Sequence, residues 1–367
     1  MADRSQMEIL VMLEEFKNTY SDKKVFLTGH TGFKGAWMLG VLNYLGATVK
    51  GYALDPDSEP SLYTLIQGNS LCESVIADIR NKEKLEAELL SFDPDFIFHF
   101  AAQSLVRRSY QQPIDTFEIN GMGTAHLLAA LTKQDKRCQV LIITTDKVYE
   151  NIEKVHAYKE SDQLGGFDPY SSSKACAEII TSSYRQSFFN PTEHDSHGKA
   201  IATARSGNVI GGGDWSEDRI IPDLVRALQA GDPLKVRNPN AIRPWQHVLE
   251  PISDYLLLGN HLEKDPVSFA QAYNFGPSLD DQLSVRELVQ MAMGIWGVGE
   301  LEEDNNLNHP HEAGLLQLDI QKAENQLGWT PKMTSQEAIS QTMDWYKNYE
   351  GDPLGCMTRQ IVNYFES

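Results

Sequence analysis

A tyrosine and a lysine lie four residues apart in the segment DPYSSSKACAE, at Tyr170 and Lys174. At the start of a helix this spacing places both side chains on one face. A free phenol titrates at about pH 10, but a neighbouring ammonium group favours the phenolate and lowers the pKa of the tyrosine. The pair therefore predicts a base that removes a hydroxyl proton while a hydride leaves the same carbon. By itself, the pair is about as typical of an exposed helix surface.

An acid and an amine stand side by side in TTDKVYEN, where Asp146 and Lys147 follow Thr145 after an apolar stretch. Such a pair could move protons on and off neighbouring carbon and oxygen atoms. Lys147 could act as a base only if burial or nearby cations lowered its pKa, and the adjacent Asp146 carboxylate opposes that change. A purely structural ion pair at the end of a strand is the alternative interpretation.

Three glycines, Gly29, Gly32 and Gly35, lie in TGHTGFKG between an apolar β-branched run and a helical pattern. Glycine lets the main chain approach a ligand closely, and the N–H groups and dipole of a helix N-terminus attract a diphosphate. Asp55 follows the next strand, where an acid commonly binds the ribose hydroxyls of NAD and repels the extra phosphate of NADP. Asp55 could equally begin the turn DPDSEP. Taken together, the glycine loop, the following helix and Asp55 predict an NAD site.

Residues after the third and fourth predicted strands complete the expected coenzyme site. Asp78 and Ile79 stand where an acid could meet the adenine edge, and Phe100, Ala101 and Ala102 are followed by polar residues. The full set expected to bind NAD is Gly29, Thr31, Gly32, Phe33, Lys34, Gly35, Asp55, Asp78, Ile79, Phe100, Ala101, Ala102, Tyr170 and Lys174.

The elements that must hold these residues alternate between strand and helix. Strands are predicted at residues 24–27, 48–53, 74–76, 96–98, 139–144, 201–206 and 271–275, and helices at 35–45, 82–92, 113–131, 170–189, 220–230, 285–295 and 335–349. Alternation with strongly apolar strands predicts an α/β fold with a Rossmann-type doubly wound parallel sheet, whose ligands bind at the C-terminal ends of the strands.

Two domains are expected from this pattern. Residues 1–206 would form the NAD-binding domain, with a returning piece near 245–280, and residues 207–367 would form mainly a smaller α/β substrate domain. Residues 1–22 are expected to form an amphipathic helix that packs on the body of the protein.

Composition narrows the function classes. The chain has 367 residues and a net charge of -19, which argues against a nucleic-acid partner, and it lacks an apolar run of the roughly 20 residues that a membrane span needs. The start of the chain lacks the features of a signal peptide, so we expect a cytoplasmic protein. Four cysteines form no CxxC pair, the histidines show no metal-ligand spacing, and no metal is expected.

Five segments together resemble one known family. TGHTGFKG, TTDKVYEN, DPYSSSKACAE, RSGNVIGGGDW and IRPWQHVLEP are similar to the extended short-chain dehydrogenase/reductases, and within them to the CDP-glucose 4,6-dehydratases, over about residues 23–349. The glycine and YxxxK motifs identify only the superfamily, whereas the DK pair, GGGDW and RPWQH are much narrower. The resemblance implies a Rossmann fold with bound NAD, and a homodimer, or a homotetramer, built through the two long helices that carry Asn120 and Tyr170.

The resemblance also implies a reaction. Tyr170, with Lys174, takes the C4 hydroxyl proton of CDP-glucose as hydride passes to NAD, and Thr145 orients that hydroxyl. The resulting ketone makes the C5 proton acidic, Lys147 removes it, Asp146 protonates the departing C6 hydroxyl, and hydride returns to C6. In the related dTDP-glucose dehydratases a glutamate matches Lys147, so the division of roles between Asp146 and Lys147 stays open.

Substrate contacts are expected from polar residues of the second half. Arginine matches diphosphate oxygens two at a time, which makes Arg219, Arg237 and Arg243 candidates. The resemblance implies that Asn208 and Arg243 contact the diphosphate, that Gln103 and Ser104 face the sugar, and that the segment HPHEA, with His311, contributes to the nucleotide pocket. Specificity for cytidine over other bases rests on the resemblance alone.

Two other functions compete with this interpretation. A nucleotide-sugar 4-epimerase needs the same tyrosine, lysine and NAD, but no acid and base for C5 and C6, so Asp146 and Lys147 argue against it. A protein that senses NAD without catalysis would not need Thr145, Tyr170 and Lys174 together. A dehydratase acting on another nucleoside diphosphate hexose is the nearest variant of the main hypothesis.

Overall fold

The computed structural model describes residues 12–152, 154–303 and 316–366. Its centre is a parallel sheet of seven strands in the order β7-β6-β5-β4-β1-β2-β3. The strands are β1 (Lys24–Thr28), β2 (Thr48–Ala53), β3 (Glu73–Ile76), β4 (Phe96–His99), β5 (Cys138–Ile143), β6 (Lys199–Ser206) and β7 (Ala272–Phe275). The predicted α/β class with a Rossmann-type doubly wound parallel sheet is confirmed, and the returning strand near residue 271 is β7, paired with β6.

Helices cover both faces of the sheet. The longer ones are α1 (residues 12–20), α2 (Phe33–Tyr44), α3 (Lys82–Phe92), α4 (Val106–Gln111), α5 (Pro113–Phe117, Glu118–Met122 and Gly123–Leu131 in succession), α6 (Pro169–Ser187), α7 (Ile220–Ala230), α8 (Leu249–Lys264), α9 (Val285–Trp296), α10 (Ser335–Asn348) and α11 (Pro353–Glu366). Shorter helical turns are Leu62–Leu65, Gly68–Ser70, Asp146–Val148, Pro191–Glu193, His194–His197, Pro266–Phe269 and Gln321–Leu327.

The central strands β4 and β5 are mostly apolar because both of their faces are buried. Successive residues of β4 alternate between two cores: Phe96 and Phe98 belong to one, and Ile97 belongs to the other. The first core includes residues of α2 and α8, and the second includes residues of α3 and α5. Burial on both faces is what a parallel sheet requires, because its crossover helices cover both sides.

The first and last described helices pack against each other. Phe16 and Tyr20 of α1 are fully buried, and the Phe16 ring meets the Phe365 ring of α11 edge-to-face at 5.9 Å between centroids. The expected N-terminal helix is therefore present over residues 12–20, and the remainder of that expectation, residues 1–11, lies outside the described residues.

Beyond β6 the chain adds β7, the five long helices α7 to α11 and most of the short strands that form two-stranded ladders. The short strands are Ala157–Tyr158, Val209–Ile210, Leu234–Val236, Ile242–Arg243, Gln246–His247, Leu283–Ser284, Leu301–Glu303 and Gln317–Leu318. The sequence patterns did not predict α8 or α11. Within the described ranges, no helix combines the length and apolar character that crossing a bilayer requires.

Candidate active site

A cavity of about 750 Å³ opens at the C-terminal ends of the main strands. The loops that follow β1 to β6 all contribute residues to its lining, as expected for the ligand site of an open α/β sheet. All described residues of the expected site border this cavity: Gly29, Thr31, Gly32, Phe33, Lys34, Gly35, Asp55, Asp78, Ile79, Phe100, Ala101, Ala102, Gln103, Ser104, Thr145, Asp146, Lys147, Tyr170, Lys174, Asn208, Arg219, Arg237 and Arg243. His311 lies outside the described residues.

The glycine loop between β1 and α2 packs so closely that a side chain at Gly29 or Gly35 would clash with backbone atoms. Gly29 has a φ of 76°, and a Cβ there would lie 2.7 Å from the backbone nitrogen of Ala101. A Cβ at Gly35 would overlap the carbonyl oxygen of Gly29. No side chain caps α2, whose N-cap is Gly32. The first N–H groups of α2 therefore have no intrahelical partner and point where a diphosphate could bind.

The two expected acids of the coenzyme site differ in what they contact. Asp55 is exposed at the cavity rim after β2, beside Leu54, whose carbonyl accepts a 2.8 Å hydrogen bond from the Thr31 hydroxyl. The Asp78 carboxylate pairs with Arg80 at 2.7 Å, and this guanidinium lowers the pKa of Asp78. Both carboxylates line the cavity.

Tyr170 and Lys174 lie on one face of α6, but the ammonium group does not control the phenol. The Lys174 Nζ donates to the Ile143 carbonyl oxygen at 2.9 Å, and burial lowers the pKa of Lys174 to about 8. Burial raises the pKa of Tyr170 to about 12, although the Thr145 hydroxyl acts in the opposite direction. The expectation that Lys174 brings the pKa of Tyr170 toward neutrality is therefore wrong for the protein alone, because desolvation of the phenolate dominates.

Asp146 is a buried carboxyl rather than a surface ion. The Thr145 Oγ1 donates to Asp146 Oδ1 at 2.9 Å, and Asp146 is only 3% exposed. Burial raises its pKa, while the Lys147 charge and the Thr145 hydrogen bond lower it to a smaller extent. The Lys147 side chain is half-buried on the same cavity wall. A carboxyl whose pKa is raised, next to an amine, can serve as an acid and base pair.

Lys34 was expected only to bind the coenzyme, but it also contacts residues near the catalytic groups. Its Nζ donates to the Ser206 hydroxyl at 3.3 Å and to the Tyr255 hydroxyl at 3.4 Å. Burial lowers the pKa of Lys34 to about 7, and the charges of Arg219 and Lys174 act in the same direction. Lys34 therefore joins the coenzyme loop electrostatically to the catalytic residues. Tyr255 carried no sequence signal, because it belongs to the unpredicted helix α8.

The loop after β4 is held by Asn120 from the π-helical turn within α5. The Asn120 amide accepts from the Gln103 N–H at 2.9 Å and donates to the Gln103 carbonyl at 3.0 Å and to the Ser173 hydroxyl at 2.8 Å. The Gln103 side chain was expected to face the sugar, but its own amide donates to Leu105 and Thr116 and accepts from the Leu105 N–H. Gln103 therefore holds the loop and also lines the cavity.

The candidate substrate arginines are engaged with nearby acceptors. Arg219 pairs with Asp214 at 3.3 Å and donates to the Ser104 hydroxyl at 3.3 Å. Arg237 pairs with Asp218 at 3.3 Å. Arg243 donates to the Ile242 carbonyl and lies close enough to Asp146 for its charge to lower the pKa of that carboxyl. These guanidinium groups line one side of the cavity.

The family is decided by comparison with known proteins. The family model described as GDP-mannose 4,6 dehydratase matches residues 26–342. The chain belongs to this family. It is 45% identical over 353 residues to the CDP-glucose 4,6-dehydratase of Salmonella typhimurium, covering 96% of this chain and 98% of that protein. A dTDP-glucose 4,6-dehydratase of Xanthomonas campestris is 25% identical over 349 residues, covering 87% and 92%. The resemblance inferred from the motifs is confirmed.

Solved structures of dehydratases and epimerases share the fold. The dTDP-glucose 4,6-dehydratase DesIV of Streptomyces venezuelae, solved with NAD and TYD, is 23% identical and covers 90% of this chain and 99% of its own, with a TM-score of 0.73. A UDP-glucose 4-epimerase of Thermotoga maritima, solved with UDP-glucose, is 19% identical with the same TM-score and covers 88% and 98%. The fold therefore does not separate dehydratase from epimerase. The choice between these two functions depends on residues of the site, above all Asp146 and Lys147.

Arg107 and Asp218 also line the cavity and were missed by the sequence reasoning. Arg107 stands in LVRRSY, in the helix α4 that follows β4, on the side of the sheet where ligands bind in open α/β folds. Asp218 had no comparable signal, because its partners come from distant parts of the sequence. Among the described residues no group of three or more His, Cys, Asp or Glu side chains could hold a metal ion.

Proposed function

We propose that this protein catalyses the NAD-dependent dehydration of CDP-glucose to CDP-4-keto-6-deoxyglucose. The observation that carries the proposal is that two sets of proton-transfer residues share one cavity. Tyr170 and Lys174 suit oxidation at C4, and buried Asp146 with Lys147 suits elimination across C5 and C6. An oxidation alone, or an epimerisation, would leave the second set without a role.

NAD fits the cradle formed by the residues present. Gly29, Gly32 and Gly35 allow a diphosphate to approach the uncapped start of α2, and Asp55 and Asp78 lie where an adenosine would extend. Bound there, NAD supplies a hydride acceptor for C4 and later a hydride donor for C6. Phe33 and Ala101 would border the coenzyme, and Tyr170 with Lys174 would meet its reactive end.

Oxidation at C4 begins with a proton transfer to Tyr170. Its pKa of about 12 makes the phenolate scarce in the protein alone, so a positive charge brought into the cavity would favour the reactive form. Thr145, whose hydroxyl influences both Tyr170 and Asp146, is placed to orient the C4 hydroxyl. The ketone that results makes the proton on C5 acidic.

Elimination follows on the Asp146 side of the cavity. Lys147 removes the C5 proton and Asp146 donates a proton to the departing C6 hydroxyl, so one water leaves. The raised pKa of Asp146 supports its role as the acid, because a buried carboxyl retains its proton at a pH where an exposed one has lost it. Protonation at C5 and hydride return to C6 then give the 4-keto-6-deoxy sugar.

The cytidine base and the hexose are proposed from the 45% identical Salmonella relative, whose name specifies CDP-glucose. Asn208, Arg219, Arg237 and Arg243 are proposed to contact the nucleotide diphosphate, since all four line the cavity. We also propose residues 1–206, with the segment near 245–280, as the coenzyme domain and residues 207–367 as mainly the substrate domain.

A homodimer is proposed through α5 and α6. These helices pack side by side and expose Ile114, Met122 and Ile179, which are 70%, 50% and 56% exposed. A second copy would cover these side chains by the same two helices, as a two-fold interface requires. All four cysteines are free thiols, which supports a reducing compartment, and we infer the cytoplasm.

In the deciding experiment, the purified protein is incubated with NAD and with CDP-, dTDP-, UDP- or GDP-glucose, and the masses of the products are measured by mass spectrometry. We expect CDP-glucose to turn over readily and to lose the mass of one water with no net reduction of NAD. With deuterium at C4 of the substrate, the label should appear at C6 of the product.

The same measurement separates the alternatives. An unchanged mass with inverted C4 would identify an epimerase, and faster turnover of another nucleotide would correct the base. Deuterium that leaves C4 for any position other than C6 would rule out the proposed route. Tyr170→Phe serves as the control, because it should abolish oxidation and leave the sugar intact.

A further inference from the structure

A charged contact joins two walls of the cavity that are distant in sequence. Arg107 belongs to α4, which follows β4, and its Nη1 donates to Asp218 Oδ1 at 2.7 Å. Asp218 belongs to the loop that precedes α7. Both residues line the cavity that contains Tyr170 and Asp146. The contact therefore spans from the coenzyme side of the site to its substrate side.

Asp218 holds a second guanidinium with the same oxygen. Arg237, which follows the strand Leu234–Val236, donates from Nη1 to Asp218 Oδ1 at 3.3 Å. The Asp218 backbone has a φ of 60°, in the left-handed region that aspartate and asparagine tolerate better than most residues. One carboxylate oxygen in a constrained backbone position thus sets the distance between two arginines from different elements.

A parallel contact supports the same connection. Next to Asp218, Arg219 donates to the Ser104 hydroxyl at 3.3 Å, and Ser104 lies three residues before Arg107. The segment 104–107 is therefore joined to the segment 218–219 in both directions. Two contacts between the same segments hold the two cavity walls at a fixed separation more firmly than one contact would.

We propose that Arg107 is a further substrate-binding residue and that Asp218 positions Arg107 and Arg237 around the diphosphate of the nucleotide sugar. A guanidinium is planar and presents paired N–H groups that match phosphate oxygens, so two held at a set separation suit a diphosphate. The whole chain carries a net charge of -19, which repels an anion. Binding of an anionic substrate therefore depends on arginines that are concentrated at the site. The inference rests on the proposed function, because it assumes a nucleoside diphosphate substrate.

Arg107→Gln tests the first part of the proposal. We expect the KM for CDP-glucose to rise about 10- to 100-fold, which corresponds to the loss of one charge-assisted hydrogen bond. The kcat should stay within about 2-fold, because a contact to the diphosphate stabilises the ground state and the transition state equally. The affinity for CDP, measured by calorimetry without turnover, should fall by the same factor, and the affinity for NAD should not change. Arg107→Lys should recover part of the loss, because it restores the charge without the planar donors.

The matched control is Arg137→Gln, which breaks an exposed pair with Asp195 away from the cavity. It removes the same charge from the chain and should leave CDP affinity unchanged. Equal CDP affinity in Arg107→Gln and the parent protein would overturn the assignment of Arg107 while leaving the dehydratase function intact. Failure of the parent protein to act on any nucleotide sugar would overturn the proposed function itself and the inference with it.

Asp218→Asn tests the positioning role. Asparagine tolerates the same backbone region and keeps the side-chain shape, so the change removes mainly the charge. We expect a several-fold rise in the KM for CDP-glucose, and Arg107→Gln combined with Asp218→Asn should be little worse than Arg107→Gln alone, because the two residues act as one unit. A lower KM in Asp218→Asn would show that the carboxylate competes with the substrate for the arginines, and would overturn the positioning role.

Discussion

At the scale of single residues, burial decides which group can act as an acid. Asp146 and Lys147 are neighbours in sequence, but only the carboxyl is enclosed, by Thr145 and by Gly207, where a Cβ would lie 3.1 Å from Asp146 Oδ2. Enclosure raises the pKa of Asp146 because the charged form loses its hydration. The carboxyl is thereby suited to donate a proton, and the proposed function assigns the role of base to Lys147.

Asp146→Asn should separate oxidation from water loss. The variant should still oxidise C4, but elimination should slow by about 10²- to 10⁴-fold, since the acid that protonates the leaving hydroxyl is gone. In the parent protein elimination should slow as the pH rises through the raised pKa of Asp146, because only the protonated carboxyl can donate. Rapid-quench mass measurement across a pH series would follow both steps.

Lys147→Met is the companion to this variant. It should also stall after the ketone forms, but any residual elimination should keep the alkaline decline that Asp146 causes, because only the base is missing and the acid is still present. Dehydration at the parental rate in Lys147→Met would show that another group removes the C5 proton. A pH profile in Asp146→Asn that matches the parent protein would show that Asp146 is not the acid.

At the scale of elements, α5 and α6 serve both the site and the surface. The inner faces place Asn120 and Ser173 in contact at 2.8 Å and hold the loop after β4. The π-helical turn Glu118–Met122 within α5 brings Asn120 into this position, and such turns often occur at functional sites. The outer faces leave apolar side chains exposed. The same pair of helices can therefore orient catalytic residues and bind a second copy.

Ile179→Glu should weaken the proposed dimer. A two-fold interface would bury the new carboxylate twice, and an unpaired buried charge is strongly unfavourable. Because Ile179 is 56% exposed in the single chain, folding should be little affected. Sedimentation equilibrium at micromolar protein should show a mass near that of one chain for the variant and twice that for the parent.

Val298→Glu is the matched control for this experiment. Val298 is 67% exposed on a loop outside α5 and α6, so the same change of charge should leave the dimer intact. A parent protein that is already monomeric, or an Ile179→Glu variant that stays dimeric, would contradict an interface at these helices.

At the scale of the whole molecule, α8 carries an energetic cost in the core. Asp254 is fully buried, and within the described chain neither of its carboxyl oxygens has a hydrogen-bond partner. Burial and the nearby Glu250 raise the pKa of Asp254 well above its usual value, and burial raises the pKa of Glu250 to about 7. Folding therefore favours the protonated form of Asp254.

Asp254→Asn should stabilise the protein, and more so at high pH. Because the pKa of Asp254 is higher in the folded chain, the free energy of unfolding of the parent falls as the pH rises above the unfolded value of about 4, and the variant lacks this contribution. We expect a gain of about 1–3 kcal/mol near pH 8 that shrinks toward about pH 5.5. Urea unfolding at both pH values would measure it.

Asp195→Asn provides the comparison, since Asp195 is exposed and its loss of charge should give no growing gain with pH. An Asp254→Asn variant with the same pH dependence as the parent would show that Asp254 does not carry the cost. A variant that is less stable at every pH would show that the carboxyl has a partner that stabilises it.

The sequence alone determined the features that depend on local pattern. Glycine spacing, the YxxxK motif and apolar strands alternating with helices predicted the parallel sheet, because turn geometry and two-sided burial restrict residue types locally. Helix α8 was missed although most of its residues are buried, because buried polar residues such as Glu250 and Asp254 interrupt its apolar pattern. Helix α11 was missed although its buried residues lie along one face.

Only the tertiary structure decided the electrostatics of the site. The raised pKa of Tyr170, the hydroxyl partners of Lys34 and the carboxylate that joins Arg107 to Arg237 depend on residues brought together from different strands and helices. The pKa of a side chain depends on burial and on charges within a few ångströms, and sequence neighbours are a small part of that surrounding. The types of catalytic residue can therefore be predicted from a motif, whereas their protonation states and partners depend on the packed fold.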